Sequence, residues 1–170
     1  MSIKIFTTGG TLDKVYFDAN SEFQVGEPGV VEVLHEANVA FSYDVEPLMR
    51  KDSLDLTDDD RALIRERVAD DPANRILITH GTDTMIQTAL LLSGIQGKTI
   101  VLTGSMQPAR LRVSDAAFNV GAAVIAVQTL PPGVYLIMNG CVFDPKMARK
   151  NRDRHRFERP TESDNEVDLS

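Results

Sequence analysis

Three short stretches combine glycine with side-chain hydroxyls, and each directly follows an apolar run: "TTGGT" at 7–11, "THGTDT" at 79–84 and "LTGSMQP" at 102–108. In the first, Gly9 and Gly10 permit backbone angles that other residues avoid and let a ligand approach the main chain closely. Backbone N–H groups in such a turn can cradle an anion or a developing oxyanion. Thr11 then offers a hydroxyl, which becomes a nucleophile once a base takes its proton. On these residues alone three readings stay open: an anion-binding loop, a loop that presents a nucleophile, and a plain strand-to-helix turn with Thr11 as its cap. The phosphate reading is the weaker, because neither G-x-x-x-x-G-K-[ST] nor G-x-G-x-x-G occurs.

Candidate bases are few. The histidines are His35, His80 and His155, and none has the aspartate and serine context of a triad. His80 follows a strand and precedes Gly81, which reads as a hydrogen-bonded structural residue. His35 falls in an amphipathic helix and His155 in a basic run. Tyr16 lies close to Thr11 on the same segment, and a phenolate can take a hydroxyl proton where cations lower its pKa. A partly buried aromatic is its plainer reading. Thr82 and Asp83 stand where a strand meets a helix. Either suits an N-cap, and a carboxylate there can also hold an ammonium group. No His, Cys or carboxylate pair has metal-ligand spacing, so neither metal nor cofactor is expected.

These residues need a frame to converge. "IKIFTT", "AFSYDVEPLM", "RILITHG", "KTIVLTGS" and "GVYLIMNGCVFD" read as strands, the last as one or two. "PGVVEVLHEAN", "LTDDDRALIRERVADD", "DTMIQTALLLSG" and "DAAFNVGAAVIAVQTL" read as helices between them. Thr57 and Asp60 spell a capping box for the second, and Gly94 stands as the stop of the third. Alternation of this kind predicts an α/β fold: an open, mainly parallel, doubly wound sheet with helices on both faces, three layers in one domain. Ligands bind such sheets outside the carboxyl ends of the strands, where all three motifs fall. The stretch from Leu12 to Glu27, with "GEPG" at one end, reads as a mobile lid hinged at Gly26 and Gly29.

The chain has 170 residues, 42% of them hydrophobic and 25% charged, so residues 1–160 suit a single globular domain followed by an acidic polar tail at 161–170. The formal net charge of −7 argues against a nucleic-acid partner. No stretch suits a membrane span, and the start "MSIKIF" lacks a signal-peptide layout. With Cys141 as the one cysteine, a cytoplasmic location is expected.

Taken together, "TTGGTL", "DSLDLT", "THGTDTM", "VLTGSMQP" and "VFDPKMARKN" resemble, in order, the motifs of the bacterial-type L-asparaginases. The resemblance spans nearly the whole chain and is to the amino-terminal domain of the usual two-domain enzyme, as in its short-chain members. It implies hydrolysis of L-asparagine to L-aspartate and ammonia through a threonine acyl-enzyme, without a cofactor. Thr11 matches the nucleophile. Thr82 and Asp83 match the threonine and aspartate of a second triad, and Lys150 its lysine, with Arg149 the competitor if the alignment slips by one. Ser53 matches the serine that binds the substrate α-carboxylate, Asp83 also the residue that holds the α-ammonium, and Ser105 the position whose carbonyl faces the amide nitrogen. Backbone donors near Gly10 and Thr82 would serve the oxyanion.

Three departures stand out. Phe23 occupies the place of the family's tyrosine, which leaves Tyr16 to activate Thr11. Leu54 replaces a substrate-binding glutamine, and the resemblance stops before the carboxyl-terminal domain that closes the family's site from a neighbouring subunit, which is expected to be absent here. A homodimer or homotetramer is the symmetric expectation. Competing functions are a glutaminase or broader amidase, since one methylene is worth only about 1–3 kcal/mol in a pocket; an amino-acid-binding or regulatory subunit that lost turnover; and, least supported, a nucleotide-binding domain.

Overall fold

The computed structural model describes residues 2–16 and 23–160; the tail at 161–170 lies outside the described residues. In chain order the elements are β1 (Ser2–Gly9), β2 (Lys14–Tyr16), β3 (Phe23–Val25), α1 (Gly29–Glu36), β4 (Ser42–Lys51), α2 (Asp58–Asp70), β5 (Arg75–Thr79), α3 (Met85–Leu92), β6 (Thr99–Thr103), α4 (Ala116–Thr129), β7 (Gly133–Met138), β8 (Cys141–Phe143), β9 (Arg149–Asn151) and β10 (Arg156–Glu158). Six strands form one sheet in the order β4-β1-β5-β6-β7-β8. All its pairings are parallel except β7 with β8.

The central strands are apolar on both faces because helices cover both. Ile3 and Ile5 of β1, Leu77 of β5 and Val101 of β6 pack under α1 (Val30, Leu34) and α4 (Val120, Ala123, Val127). Their alternate neighbours Phe6, Ile76, Ile78, Ile100 and Leu102 pack under α2 (Ile64, Val68) and α3 (Met85, Ala89, Leu92). The strand period of two thus splits one sheet into two cores, giving the expected three layers. The crossover β6–α4–β7 is opposite in hand to the other three. It steps across the sheet in the same direction as β5–α3–β6 but carries its helix on the other face.

Helix starts follow local chemistry where the side chains are free to serve it. The Thr57 hydroxyl accepts from Asp60 N–H at 3.2 Å while the Asp60 carboxylate accepts from Thr57 N–H at 2.8 Å, so the capping box forms. At α3 the expectation fails. Neither Thr82 nor Asp83 caps it; Thr84 is the N-cap residue, and its hydroxyl instead donates to the Ser53 carbonyl at 2.7 Å. That helix also ends at Leu92 with Ser93 as C-cap, and Gly94 is not among the glycines with positive φ. The "NG" of "GVYLIMNGCVFD" resolves that stretch into two strands: Asn139 (φ 53°) and Gly140 (φ 75°) make the tight turn between β7 and β8.

The supposed lid is partly regular. β2 and β3 pair antiparallel, with Tyr16 opposite Phe23; residues 17–22 between them lie outside the described residues. The expected hinges are tied down. Gly26 N–H donates to the Asp13 carbonyl at 2.7 Å, and Gly29 N–H to the Asp13 carboxylate at 2.7 Å. A side chain at Gly29 would meet the Leu12 carbonyl oxygen at 2.7 Å, so this glycine serves close packing.

Candidate active site

The chain leaves β1 toward β4 on one side and returns to pair with β1 from the other side as β5. Strand order therefore reverses at β1, and the crevice at such a reversal is where open α/β sheets bind ligands. Thr11 follows β1, and Thr82 and Asp83 follow β5, so both threonine motifs open onto this crevice. A cleft of about 420 Å³ lies there, lined by Thr11, Thr82, Asp83, Met106, Gln107, Lys150, Arg152 and His155.

Backbone contact holds the floor together. Gly10 sits at φ 87°, and a Cβ there would lie 2.5 Å from the Gly81 Cα. A Cβ on Gly81 would in turn lie 2.6 Å from the Ser53 side chain. The three motifs "TGGT", "HGT" and "DSL" thus pack against one another at glycine, with no room for a side chain at either contact. Gly10 N–H donates to the Lys51 carbonyl at 2.9 Å, and the Thr8 hydroxyl to the Thr79 carbonyl at 3.0 Å, tying β1 to both neighbours.

His80 locks the turn beneath Thr82. Its Nδ1 donates to the Gly81 carbonyl at 2.8 Å, so Nε2, 2.8 Å from the Thr88 hydroxyl, accepts. Burial holds its pKa down to about 4, with the Gly81 carbonyl opposing and Arg61 adding to the effect, so the ring is neutral near pH 7. This is the structural role its place in the sequence predicted.

The polar cluster forms around Lys150. Its ammonium group donates to the Thr82 hydroxyl at 2.8 Å and to the Asp83 carboxylate at 2.9 Å. Strand alternation in β9 decides which cation arrives. Arg149 and Asn151 both turn to Glu158, at 2.7 and 2.8 Å, so Lys150 between them faces the other way, toward the cleft. Because Lys150 donates to Thr82, the Thr82 hydroxyl keeps its own hydrogen to give to a ligand or water. Among the described residues the Thr11 hydroxyl has no hydrogen-bond partner, and it lies half-buried on a 3₁₀ turn at 11–13.

The other expected residues sit behind these. Ser53 is 2% exposed, and its hydroxyl is buried without a partner. Such a donor is costly unless a ligand completes it. Ser105 is equally buried, and its hydroxyl donates to the Gln107 carbonyl at 2.5 Å, bracing the loop whose Met106 and Gln107 line the cleft. Tyr16 ends β2, and its side chain lies outside the described part of the structure. Leu54 is 65% exposed and offers no side-chain hydrogen bond. Among the described residues no group of three His, Cys, Asp or Glu could hold a metal ion.

Three supporting residues escaped the sequence reading. The Asp115 carboxylate accepts from Met106 and Gln107 N–H, each at 3.0 Å, and from the Asn119 amide at 2.9 Å. Asn119, buried in α4, also donates to the Gly104 carbonyl and accepts from Asn139 N–H. The signal was a lone asparagine inside an apolar helix, one turn after an aspartate. Arg152, in the turn after β9, reaches Asp83 at 3.4 Å; in the sequence it is one of several cations in a basic run.

The asparaginase amino-terminal family model matches residues 2–163. The chain belongs to the asparaginase family. It is 33% identical over 97 residues to the glutaminase-asparaginase of Acinetobacter glutaminasificans, a match covering 54% of this chain and 29% of that protein. It is 29% identical over 160 residues to L-asparaginase 2 of Escherichia coli, covering 88% of this chain and 46% of the other. A glutamyl-tRNA(Gln) amidotransferase component of Methanococcus vannielii is 40% identical over 83 residues, covering 48% of this chain and 19% of its own length. Among solved structures, L-asparaginase I from Vibrio cholerae superposes with a TM-score of 0.80 at 27% identity, over 94% of this chain and 51% of that one. The asparaginase-family chain thus spans about half the length of that structure and less of the curated relatives.

Proposed function

We propose that the cleft hydrolyses a side-chain carboxamide, with L-asparagine as the reference substrate, through an acyl-enzyme on Thr11. The observation that carries this is the Lys150 ammonium held at 2.8 and 2.9 Å by Thr82 and Asp83 in the same cleft as Thr11. The Thr11 hydroxyl adds to the amide carbon, and its proton passes through a base to the departing nitrogen, which leaves as ammonia. Tyr16 is the base we propose. Water then cleaves the Thr11 ester, guided by Thr82 and the Lys150–Asp83 pair, and restores the hydroxyl. Backbone N–H groups near Gly10 and Thr82 stabilise the oxyanion in both steps. The Ser53 hydroxyl, buried without a partner, is the group we propose for the substrate carboxylate. Ser105 faces the leaving amide through its carbonyl. The working form we propose is a cytoplasmic homodimer or homotetramer. No helix among the described residues is long and apolar enough to cross a membrane.

A glutaminase or broader amidase is the second reading, favoured by the name of the Acinetobacter relative. The test is ammonia release by purified protein from L-asparagine, L-glutamine and D-asparagine, with Thr11→Ala alongside. Release from L-asparagine that disappears in the variant is the expected result, and the glutamine rate ranks the two readings. Binding of L-aspartate without release from any amide would leave an amino-acid-binding protein instead.

A further inference from the structure

Two walls of the cleft come from distant parts of the chain. One is the loop after β6, which supplies Met106 and Gln107; the other is the β9–β10 hairpin, which supplies Lys150 and Arg152. A line of hydrogen bonds joins them. It starts at Gly104, which packs so close to the His80 carbonyl that no Cβ fits between them. The Asn119 amide donates to the Gly104 carbonyl at 3.0 Å and to the Asp115 carboxylate at 2.9 Å, and Asp115 in turn accepts from Met106 and Gln107 N–H. The Asn119 side-chain carbonyl accepts from Asn139 N–H at 3.1 Å. The Asn139 side-chain carbonyl accepts from Phe157 N–H at 2.8 Å, and Phe157 stands opposite Lys150 in the β9–β10 pair.

Asn119 is 1% exposed and uses both amide hydrogens and its carbonyl, so it is a fixed post. Asn139 lies in the tight turn between β7 and β8 at φ 53°. Glycine would serve that turn as well; asparagine adds an acceptor that reaches the hairpin. The contact of Phe157 with Phe143 holds the hairpin to the core, but apolar contact has no direction. The bond from Phe157 N–H to Asn139 has one, and it fixes the backbone directly across from Lys150. The Lys150 side chain is 17% exposed, so its stem is confined, and a shift of the strand passes on to the ammonium group.

We propose that Asn139 is a positioning residue for the Lys150 cluster: braced by Asn119 against the floor that carries Thr82, it holds the β9–β10 hairpin where Lys150 meets both Thr82 and Asp83. The catalytic consequence rests on reading the cleft as an amide-hydrolase site. Asn139 touches no reacting atom and acts through Lys150.

The test uses the full chain with Asn139→Gly and Asn139→Asp. Glycine keeps the left-handed turn and removes only the side-chain acceptor, while aspartate keeps both. In a crystal structure of Asn139→Gly, at least one of the two Lys150 contacts, to Thr82 or to Asp83, should open. In ammonia assays with L-asparagine its kcat should fall about tenfold or more with KM within about twofold, since a small misplacement of a reacting group is costly in the transition state. Asn139→Asp should recover most of that loss. In a Lys150→Met background Asn139→Gly should change the rate by less than about twofold, because two residues that act through one contact are not additive. Both Lys150 contacts intact in the Asn139→Gly structure would overturn the proposal. So would an unchanged kcat, an effect on KM alone, no recovery in Asn139→Asp, or an undiminished loss without Lys150. A wild type that releases no ammonia from any amide would remove the hydrolase reading. The Asn139→Gly structure then decides alone: an opened Lys150 contact upholds the positioning role, and intact contacts overturn it.

Discussion

Thr11 and Thr82 follow adjacent parallel strands and line one cleft, yet their surroundings differ. Thr82 is 5% exposed and fixed by Lys150, which Asp83 holds in turn. Thr11 stands half-buried on a short turn, with no described hydrogen-bond partner. A hydroxyl that must attack needs freedom and a base that engages it with the substrate present. A hydroxyl that orients water needs a fixed direction. The contrast suits the two roles proposed for them, and it also marks which half of the site the sheet scaffold completes without help.

The comparison breaks most completely at Thr11. Thr11→Ala should lower turnover by about 10⁴-fold or more, as loss of a nucleophile does. Product binding measured by calorimetry should survive, because Ser53 and the Lys150 cluster do not depend on Thr11. Lys150→Met should cost about 10²–10⁴-fold, the usual contribution of a proton-transferring group. Arg149→Ala, one residue away but turned to Glu158, should stay within about threefold in turnover, because its side chain faces away from the cleft. Equal losses in steady-state ammonia assays would mean that the alternation of β9 does not separate their roles.

The floor can be tested independently of chemistry. Gly10→Ala places a Cβ against Gly81 at 2.5 Å in a backbone region closed to alanine. It should destabilise the fold by about 2–4 kcal/mol in denaturant titrations, the range of the larger packing defects. A neutral Gly10→Ala would show that the three motifs can separate without cost.

The smallest effect on activity sharpens the region just after Thr11. Burial pushes the pKa of Asp13 up from 3.8 to about 7, against the Gly29 N–H and the Arg50 and Arg110 charges, which lower it. Because the folded-state value is raised, the stability contributed by its protonated form is full below about 4 and lost as pH rises through 7. Asp13→Asn should therefore gain on wild type across that window, by roughly 4 kcal/mol in all at 1.36 kcal/mol per pH unit. The difference between the two proteins isolates Asp13 from His80, whose depressed pKa makes stability rise with pH between about 4 and 6.5. A difference that stays flat from about pH 4 to 8 would mean the Asp13 carboxylate is solvated or paired when ionised.

Legibility in the sequence followed the range of the interactions. The capping box at Thr57 and Asp60 was readable because both partners lie within one helical turn. The α3 start was misread because the hydroxyl of Thr84 is claimed by Ser53, 31 residues away. The β9–β10 hairpin has almost no apolar alternation. It is held by contacts distant in sequence: Phe157 packs on Phe143, with ring centroids 6.3 Å apart, and Phe157 N–H donates to Asn139. Gly26 and Gly29 suggested hinges by type, but buried Asp13 pins both.

By itself the sequence determined the alternating α/β plan, the strand-end motifs and the residue types of the site. Those follow from periodicity and from local backbone needs, which act over a few residues. Only the tertiary structure decided that Lys150 rather than Arg149 meets Thr82, that Gly10, Gly81 and Ser53 touch, and that Arg152 adds a second cation to Asp83. These depend on strand order and on the direction in which a three-residue strand turns its side chains, and both are fixed by packing across the whole chain.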